Sequence, residues 1–249
     1  MQPAILITGA ARRIGTTFAR TFGKAGWHVV VHYGHSRAEA EALASELPSA
    51  ECISCDLTDS DAAAAMVEAL AGRLPDWRML INSAAVFRED TIHALDPAIF
   101  AEAMAVNAAT PTRMAQAFLA HARAAGGRRV IELTDQKLLN PNPDFLSYTM
   151  AKHAFAATIR LMAMVAPSPA DRIYGLAPGA MLPSFDQQPD EHLLSGRMNL
   201  LERLNDAQEL ADAALFLSEG WLASGETLFI DSGQHLLSQP RDVLFLARE

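Results

Sequence analysis

Tyr148 and Lys152 stand four residues apart, a spacing that could support proton transfer if the segment is helical. Residues at this spacing share one face of a helix, so the ammonium can approach the phenol. A nearby cation stabilises phenolate, and we therefore expect the pKa of Tyr148 to lie below its usual value of about 10. Asp135, earlier in the chain, adds a carboxyl group that can accept from N–H groups or, with a raised pKa, deliver a proton. The three side chains predict acid catalysis.

The bulk properties of the chain narrow the classes of protein to consider. Its 249 residues contain no Pro/Gly/Ser-rich linker and no repeat, so we expect one domain spanning residues 1–249. The formal net charge of -9 disfavours nucleic-acid binding. No apolar run reaches the ~18 residues of a membrane span, and the first strand begins too early for a signal peptide. We expect a cytoplasmic protein that binds neither nucleic acid nor a membrane.

The only two cysteines, Cys52 and Cys55, form a C-x-x-C motif that could indicate redox chemistry or zinc. No second pair completes a tetrahedral zinc site. The two lie in a predicted strand, where residues three apart point to opposite faces. We expect two buried strand thiols and no metal.

Strand-like and helix-like segments alternate along the chain. Apolar runs of strand length lie at Ala4–Ile7, His28–His32, Cys52–Ser54, Met79–Ile81, Arg129–Leu133, Arg172–Leu176 and Thr227–Ile230. Helical length and period are found at Arg12–Ala25, Arg37–Glu46, Ser60–Arg73, Pro97–Arg123, Ser147–Val165 and Ala207–Ser218. This alternation predicts a single α/β domain of the doubly wound Rossmann type, with a seven-stranded parallel sheet and helices on both faces. Ligands of such folds bind beyond the carboxyl ends of the strands.

Several local signals mark helix starts and one unusual loop. Asp96 followed by Pro97 predicts an N-cap and a first helical residue. Asn205 with Gln208 resembles a capping box. Residues 180–203 break the alternation with prolines, acids and scattered apolar residues, and so predict either a substrate loop or a variable surface loop.

A glycine turn directly follows the first predicted strand. Gly9 permits a tight turn, and Gly15 permits close packing of helix on strand. The helix that begins there offers free N–H groups and a positive dipole to a pyrophosphate. Arg12 and Arg13 add positive charge next to this predicted phosphate site, although either could instead be a solvated surface residue.

The segment after the second strand predicts which nicotinamide cofactor binds. An acid at this position would bind the ribose 2′-hydroxyl of NAD and repel a 2′-phosphate. The chain instead has His35, Ser36 and Arg37, of which Ser36 could cap the next helix and all three could bind phosphate oxygens. We therefore expect NADPH, with ordinary capping and a surface arginine as the alternative.

Taken in order, these motifs resemble the short-chain dehydrogenase/reductase family over essentially the whole chain. The matching residues are Thr8, Gly9, Ile14, Gly15, Asp56, Leu57, Asn82, Asn107, Tyr148, Lys152, Pro178 and Gly179. The resemblance implies that Asp56 contacts the adenine and that Asn82, Ser83 and Ala84 line the cofactor groove. It also implies that Asn107 holds a bent helix and a proton-relay water, that Tyr148 is the acid, and that Lys152 binds the nicotinamide ribose. The resemblance also implies a tetramer, built on the predicted helices Pro97–Arg123 and Ser147–Val165.

Within that family the chain looks most like pteridine reductases and dihydromonapterin reductases. The narrower resemblance is carried by the Ala10-Ala11-Arg12-Arg13 turn, the run His32-Tyr33-Gly34-His35-Ser36, Phe87, and Asp135 in place of the usual serine. It implies that Phe87 stacks on a pterin and that Arg13 reaches both pterin and pyrophosphate. A flat ring rich in N–H donors suits an aromatic plate with a carboxylate. Phe87 alone would be expected in a core, but Phe87 together with Asp135 favours the pterin site.

Three departures from the resemblance concern substrate choice. Ser83 stands where the wider family usually has asparagine, Ala85 where pteridine reductases tend to have serine, and Tyr174 where asparagine is usual. The tail Gln239–Glu249 extends past the last strand motif and could cover a neighbouring subunit.

The sequence therefore predicts NADPH-dependent reduction of a dihydropterin: dihydromonapterin, dihydrobiopterin or dihydrofolate. The predicted substrate residues are Arg13, Phe87, Asp135 and Tyr148. The alternative is a carbonyl reductase or alcohol dehydrogenase, such as a 3-oxoacyl thioester reductase, in which Asp135 is incidental. A noncatalytic dinucleotide-binding module is a third hypothesis, and the set Asn107, Tyr148 and Lys152 argues against it because pure binding needs no acid.

Overall fold

The computed structural model describes residues 1–184 and 186–249, so Phe185 of the predicted loop lies outside the described residues. Seven parallel strands form one sheet in the order β3-β2-β1-β4-β5-β6-β7. Their bounds are β1 Ala4–Ile7, β2 His28–Tyr33, β3 Ala50–Ser54, β4 Trp77–Asn82, β5 Arg129–Leu133, β6 Arg172–Pro178 and β7 Thr227–Ile230. The predicted seven-stranded parallel sheet is confirmed, and each predicted strand overlaps an observed one.

Helices cover both faces of the sheet. Their bounds are α1 Arg13–Lys24, α2 Arg37–Glu46, α3 Ser60–Ala71, α4 Pro97–Met104, α5 Thr110–His121, α6 Leu146–Met164, α7 Pro189–Ser195, α8 Ala207–Ser218 and α9 Val243–Leu246. Alternate residues of β1 point to opposite faces, as the period of a strand requires. Ile5 therefore belongs to the core cluster that contains Phe18 of α1, whereas Leu6 belongs to the cluster that contains Phe118 of α5. Two apolar layers thus fix the sheet between its helices.

The strand order reverses beside β1, which pairs with β2 on one side and β4 on the other. Chain segments leaving the carboxyl ends of β1 and β4 therefore separate to opposite sides and leave a crevice between them. The residues that follow these two strands are the glycine turn and the segment around Ser83. The fold accordingly places the predicted cofactor residues at one edge of the sheet.

Two helix predictions need correction. The predicted helix Pro97–Arg123 is interrupted by a π-helical turn at Ala105–Ala109, which divides it into α4 and α5. Asn205 does not cap α8, because Asp206 is the N-cap and its carboxylate accepts from the backbone N–H of Gln208 at 2.9 Å. The Asn205 side chain instead accepts from the Ser232 hydroxyl at 2.6 Å. The predicted N-cap at Asp96 is confirmed, with its carboxylate accepting from the N–H of Ala98 at 2.8 Å.

The prediction of two buried strand thiols is confirmed only in part, and the role of the loop stays a prediction. Cys52 and Cys55 are free thiols, but both are only partly buried, and Cys55 follows β3 rather than lying in it. Residues 180–203 contain a short helix, α7. Across residues 1–184 and 186–249, no helix is both long and apolar enough to span a membrane.

Candidate active site

A cavity of about 550 Å³ opens at the carboxyl ends of the strands. Fourteen of the predicted site residues line it: Gly9, Arg12, Arg13, Ile14, Gly15, Ser36, Ser83, Ala84, Phe87, Asp135, Tyr148, Lys152, Pro178 and Gly179. The remaining predicted residues lie outside its lining: His35, Arg37, Asp56, Leu57, Asn82 and Asn107. The cavity thus brings together predicted residues that lie at or after the ends of five different strands, and their roles stay predictions.

The glycine turn has the geometry that a close phosphate contact requires. Gly9 has a φ of 65°, a left-handed conformation that side chains rarely adopt. A Cβ on Gly15 would collide with the carbonyl oxygen of Gly9. The N–H of Gly9 donates to Nδ1 of His32 at 3.2 Å. Since Nδ1 accepts, the Nε2 atom of His32 donates to the carbonyl of Cys55, which ties the turn to the end of β3.

His32 is a buried residue that the sequence analysis used only as part of a motif. Burial lowers the pKa of His32 to about 4, so the ring is neutral at physiological pH. The neutral ring can accept from Gly9 and donate to Cys55 at once. The shape of the glycine turn therefore depends on a neutral histidine.

The two arginines of the glycine turn take different directions. Arg12 forms an exposed ion pair with Glu39 of α2. Arg13 has a φ of 56°, and its guanidinium donates to the backbone carbonyl of Pro183 at 2.8 Å. Arg13 therefore connects the phosphate turn to the loop 180–203 at the edge of the cavity.

The segment after β2 carries no acidic residue up to Arg37. Ser36 is the N-cap of α2, but its hydroxyl makes no capping hydrogen bond, contrary to the expectation that it could cap this helix. Arg37 is exposed and pairs with Glu41 at 2.7 Å. Asp56, at the end of β3, is exposed, and its carboxylate accepts from the N–H of Thr58 at 2.9 Å. The hydroxyl of Ser36 and the exposed guanidinium of Arg37 thus lie where the resemblance predicts the adenosine part of the cofactor.

Tyr148 and Asp135 meet at the centre of the cavity. The phenol of Tyr148 donates to Oδ2 of Asp135 at 2.7 Å. The backbone N–H of Lys137 donates to the other carboxylate oxygen, Oδ1, at 2.9 Å. Asp135 is the N-cap of the short 3₁₀ turn Gln136–Leu138, so the backbone itself aims its carboxyl group at the phenol.

The expected lowering of the Tyr148 pKa is wrong for this structure. Burial, followed by the charge and hydrogen bond of Asp135, raises the pKa of Tyr148 well above its usual value. Burial likewise raises the pKa of Asp135, although its hydrogen bonds from Lys137 and Tyr148 oppose this. A negative carboxylate at 2.7 Å disfavours phenolate. The phenol of Tyr148 therefore retains its proton, which suits a proton donor better than a base.

Lys152 lies within cation–π distance of Tyr148, with its ammonium 5.6 Å from the centre of the phenol ring. The ammonium donates to the carbonyl of Leu133, and burial lowers the pKa of Lys152 to about 8.

Glu132 of β5 is a second buried acid, and its carboxyl group accepts from the side-chain amide of Asn82 at 2.9 Å. Burial raises the pKa of Glu132 to about 8. No sequence signal singled out Glu132, because one acid in an apolar strand matches no motif.

Asn107 lies inside the π-helical turn, as its predicted role in a bent helix requires. Its amide donates to the carbonyl of Val86 at 2.8 Å and its side-chain oxygen accepts from the N–H of Val86 at 2.8 Å. Asn107 thus fixes the segment that leads from β4 to Phe87. Its predicted contact with a relay water stays a prediction.

Phe87 belongs to an aromatic group at the mouth of the cavity. Its ring stacks on Phe145 with centroids 4.0 Å apart and meets Tyr148 edge-on at 4.7 Å. Phe87 is 39% exposed, so part of the side chain remains accessible to a ligand. The sequence analysis missed Phe145, the partner that holds this plate.

The C-terminal residues were also missed as part of the site. Asp242, Val243 and Leu244 line the cavity of their own chain. Tyr174, a departure from the family pattern, is fully buried and donates to the carbonyl of Leu222 at 2.6 Å, which is a structural role.

The fold and the site define the class of protein. A family model described as enoyl-(acyl carrier protein) reductase matches residues 9–235. The chain belongs to the short-chain dehydrogenase/reductase family and is an oxidoreductase of that family, whose members use NAD(P)H.

Three relatives show where in the family the similarity lies. FolM alternative dihydrofolate reductase 1 from Brucella canis, solved in complex with NADP, superposes with a TM-score of 0.86 at 28% identity, covering 95% of both chains. The 7alpha-hydroxysteroid dehydrogenase of Escherichia coli K12 is 27% identical over 92% of both chains. Pteridine reductase 1 of Leishmania tarentolae is 26% identical over 94% of this chain and 96% of its own. The similarity therefore includes reductases of pterin-type substrates and a hydroxysteroid dehydrogenase.

Proposed function

We propose that this chain reduces a dihydropterin with NADPH, the candidate substrates being dihydromonapterin, dihydrobiopterin and dihydrofolate. The observation that carries the proposal is the hydrogen bond from Tyr148 to Asp135 inside the cavity. A ketone needs one proton donor, whereas a dihydropterin also presents a row of N–H groups. A carboxyl group beside the phenol can accept from those groups, whereas a ketone offers it no N–H group to bind. The similarity to FolM alternative dihydrofolate reductase 1 and to pteridine reductase 1 supports the same choice.

The residues around the cavity fit an NADP(H) molecule. The glycine turn offers backbone N–H groups at the start of α1, and Ser36, Arg37 and Arg12 offer donors for a 2′-phosphate. When bound, NADPH supplies the hydride. The residues proposed to hold it are Gly9, Arg12, Arg13, Ile14, Gly15, His35, Ser36, Arg37, Asp56, Leu57, Asn82, Ser83, Ala84, Lys152, Pro178 and Gly179.

The protein's own part in the reaction is to position the ring and to deliver a proton. Phe87 lines the cavity and is partly exposed, so a flat substrate can stack on its ring. Tyr148 gives its proton to the ring nitrogen next to the reduced carbon, and Asp135 holds the phenol in place. The ammonium of Lys152 offsets the negative charge that remains on the Tyr148–Asp135 pair.

A second candidate function is reduction of a ketone or oxidation of an alcohol. It is favoured by the similarity to 7alpha-hydroxysteroid dehydrogenase and by the apolar side chains of Met181, Leu182 and Leu244 in the cavity lining. In this alternative Tyr148 protonates a carbonyl oxygen, and Asp135 only positions the phenol. The two candidates differ in whether Asp135 contacts the substrate.

A substrate panel tests the proposal. Purified protein with NADPH is offered dihydromonapterin, dihydrobiopterin, dihydrofolate, a 3-oxoacyl thioester and a steroid ketone, and loss of NADPH absorbance is followed. We expect turnover with at least one dihydropterin at a higher kcat/KM than with either ketone. No NADPH oxidation with any dihydropterin would overturn the proposal.

We also propose that the chain acts in the cytoplasm as a homotetramer. Apolar side chains of α6 exposed in the single chain support this assembly: Met150, Leu161 and Met164. Light scattering of the purified protein tests it, because a monomeric mass would contradict it.

A further inference from the structure

The C-terminal segment, residues 239–249, folds against the cavity of its own chain. Helix α9 begins at Val243, and Asp242, Val243 and Leu244 share the cavity lining with Asp135 and Tyr148. The sequence suggested that this tail could cover a neighbouring subunit. In the single chain it reaches the site of the chain that carries it, and the contact with a neighbouring subunit stays a prediction.

Polar contacts fix the start of this segment to the segment that follows β5. The N–H of Gln239 donates to the side-chain oxygen of Asn140 at 3.1 Å, and the Asn140 amide donates back to Gln239 at 2.8 Å. The guanidinium of Arg241 binds the carboxylate of Asp144 at 2.8 Å. Asn140 and Asp144 are both buried, whereas the Arg241 side chain is 43% exposed, so the segment is anchored to buried polar groups at the protein surface. Such anchoring is more than a loosely attached tail would need.

An ion pair connects the segment to the proposed proton donor. The ammonium of Lys137 lies 2.8 Å from the carboxylate of Asp242, and the Lys137 side chain is only 3% exposed. The backbone N–H of Lys137 is also the donor to Asp135. A buried ammonium requires a counter-ion. Asp242 therefore supplies the charge that keeps the Asp135 turn in place.

Apolar contacts connect the segment to the aromatic plate. Leu244 forms a buried cluster with Phe145 and Tyr148. The ring of Phe245 stacks on Phe145 with centroids 5.8 Å apart, and Phe145 in turn stacks on Phe87 at 4.0 Å. The tail thus packs on Phe145, the residue that stacks on Phe87, and contributes Leu244 to the cavity lining.

We infer that residues 239–249 form a wall of the substrate subsite and that Leu244 determines which ring substituent is accepted. This inference deepens the proposed function and rests on it. Leu244 contacts the substituent directly, whereas Asp242 is a positioning residue that acts through Lys137. A short polar substituent has room beside the Leu244 side chain, whereas a longer one collides with it.

The test compares dihydromonapterin, with a short substituent, and dihydrofolate, with a long one. We expect Leu244→Ala to raise the kcat/KM ratio of dihydrofolate to dihydromonapterin about tenfold. Leu244→Met, of similar volume, leaves the ratio within about twofold. Leu236→Ala is the matched control, since Leu236 is exposed and lies outside the cavity lining. A ratio in Leu244→Ala equal to that of the wild type overturns the inference; if this variant does not fold, Leu244→Val decides in the same way.

The role of Asp242 has its own readout. Asp242→Asn raises KM for the dihydropterin about tenfold while the Kd of NADPH stays within about twofold, and Asp242→Glu restores KM. If Asp242 had only a structural role, Asp242→Asn would lower Tm and the active fraction and leave KM unchanged. That result would contradict a positioning role for Asp242. If the wild type reduces only ketones, the proposed function fails. The wall is then tested with the same variants on a short and a long ketone.

Discussion

The phenol of Tyr148 and the carboxyl group of Asp135 share a hydrogen bond of 2.7 Å, and Asp135 is held from its other side by the backbone N–H of Lys137. The pair explains why the pKa of Tyr148 is raised rather than lowered, since burial and a negative neighbour both disfavour phenolate. In this pair the phenol can donate a proton, and the carboxyl group can accept hydrogen bonds from substrate N–H groups. The predictions below follow from this pair and from the elements that support it.

Replacing Asp135 by asparagine should lower the pKa of Tyr148. The amide keeps a hydrogen-bond acceptor but removes the negative charge that raises this pKa. Alkaline ultraviolet difference titration measures the phenol directly when Tyr148→Phe serves as the blank. We expect ionisation at a lower pH in Asp135→Asn than in the wild type. The exposed Asp61→Asn provides the control, and an identical titration in Asp135→Asn and wild type would falsify the coupling.

Replacing Phe87 by alanine should weaken substrate binding. Aromatic stacking contributes about 0.5–1.5 kcal/mol, so KM for a dihydropterin should rise roughly twofold to tenfold. Phe87→Tyr retains the ring and should retain KM. Phe216→Ala is the matched control, because this exposed phenylalanine packs on Trp221 outside the cavity lining. Steady-state kinetics measure KM, and an unchanged KM in Phe87→Ala would contradict stacking of the dihydropterin on Phe87.

An acid at position 36 should change cofactor preference. Ser36 lines the cavity at the start of α2, and its hydroxyl makes no capping hydrogen bond. A carboxylate there repels a 2′-phosphate, so we expect Ser36→Asp to raise the Kd of NADPH by at least about tenfold. The Kd of NADH should not rise. Ser45→Asp adds the same charge at the other end of α2, and equal losses in both variants would count against a 2′-phosphate site.

Removing the ionisable carboxyl group of Glu132 should change how stability depends on pH. Burial raises the pKa of Glu132 from 4.5 to about 8, so between these values the folded protein binds a proton that the unfolded chain has lost. The stabilisation from Glu132 is therefore complete below 4.5 and disappears as the pH rises through about 8. Glu132→Gln should gain stability over the wild type as pH rises, by on the order of a few kcal/mol.

Urea unfolding of both proteins from about pH 5 to about pH 9 measures this difference. The exposed Glu68→Gln is the control and should follow the wild type at every pH. A constant difference between Glu132→Gln and wild type across the interval would show that Glu132 does not titrate there.

Much of the fold could be predicted because short-range patterns determine it. Alternation of apolar runs gave the sheet, and the Asp96-Pro97 pair marked the start of α4 as the structure has it. The competing caps of α8 could not be separated, since Asn205 and Asp206 are both good N-caps and only tertiary contacts decide. The π-helical turn at Asn107 likewise depends on a contact with Val86 that is distant in sequence.

The site was predictable only where a motif encodes it. The glycine turn and the pair Tyr148 and Lys152 carry fixed spacings, so their convergence could be expected. Lys137 and Leu244 carry no such spacing and reach the cavity only through packing and the path of the tail, and the same holds for the contact of Phe145 with Phe87. The predicted direction of the Tyr148 pKa shift was wrong for the same reason. The four-residue spacing predicts that Lys152 is near, but it predicts neither the burial of the phenol nor its contact with Asp135.

The central claim is that Asp135 selects a pterin over a ketone. The most direct measurement is the ratio of kcat/KM for a dihydropterin to kcat/KM for a ketone, in the wild type and in Asp135→Ser, with the Kd of NADPH measured for both. We predict that Asp135→Ser lowers this ratio by at least about a hundredfold while NADPH binding is unchanged, because only the pterin uses the carboxyl group. The same ratio in both proteins would contradict the account.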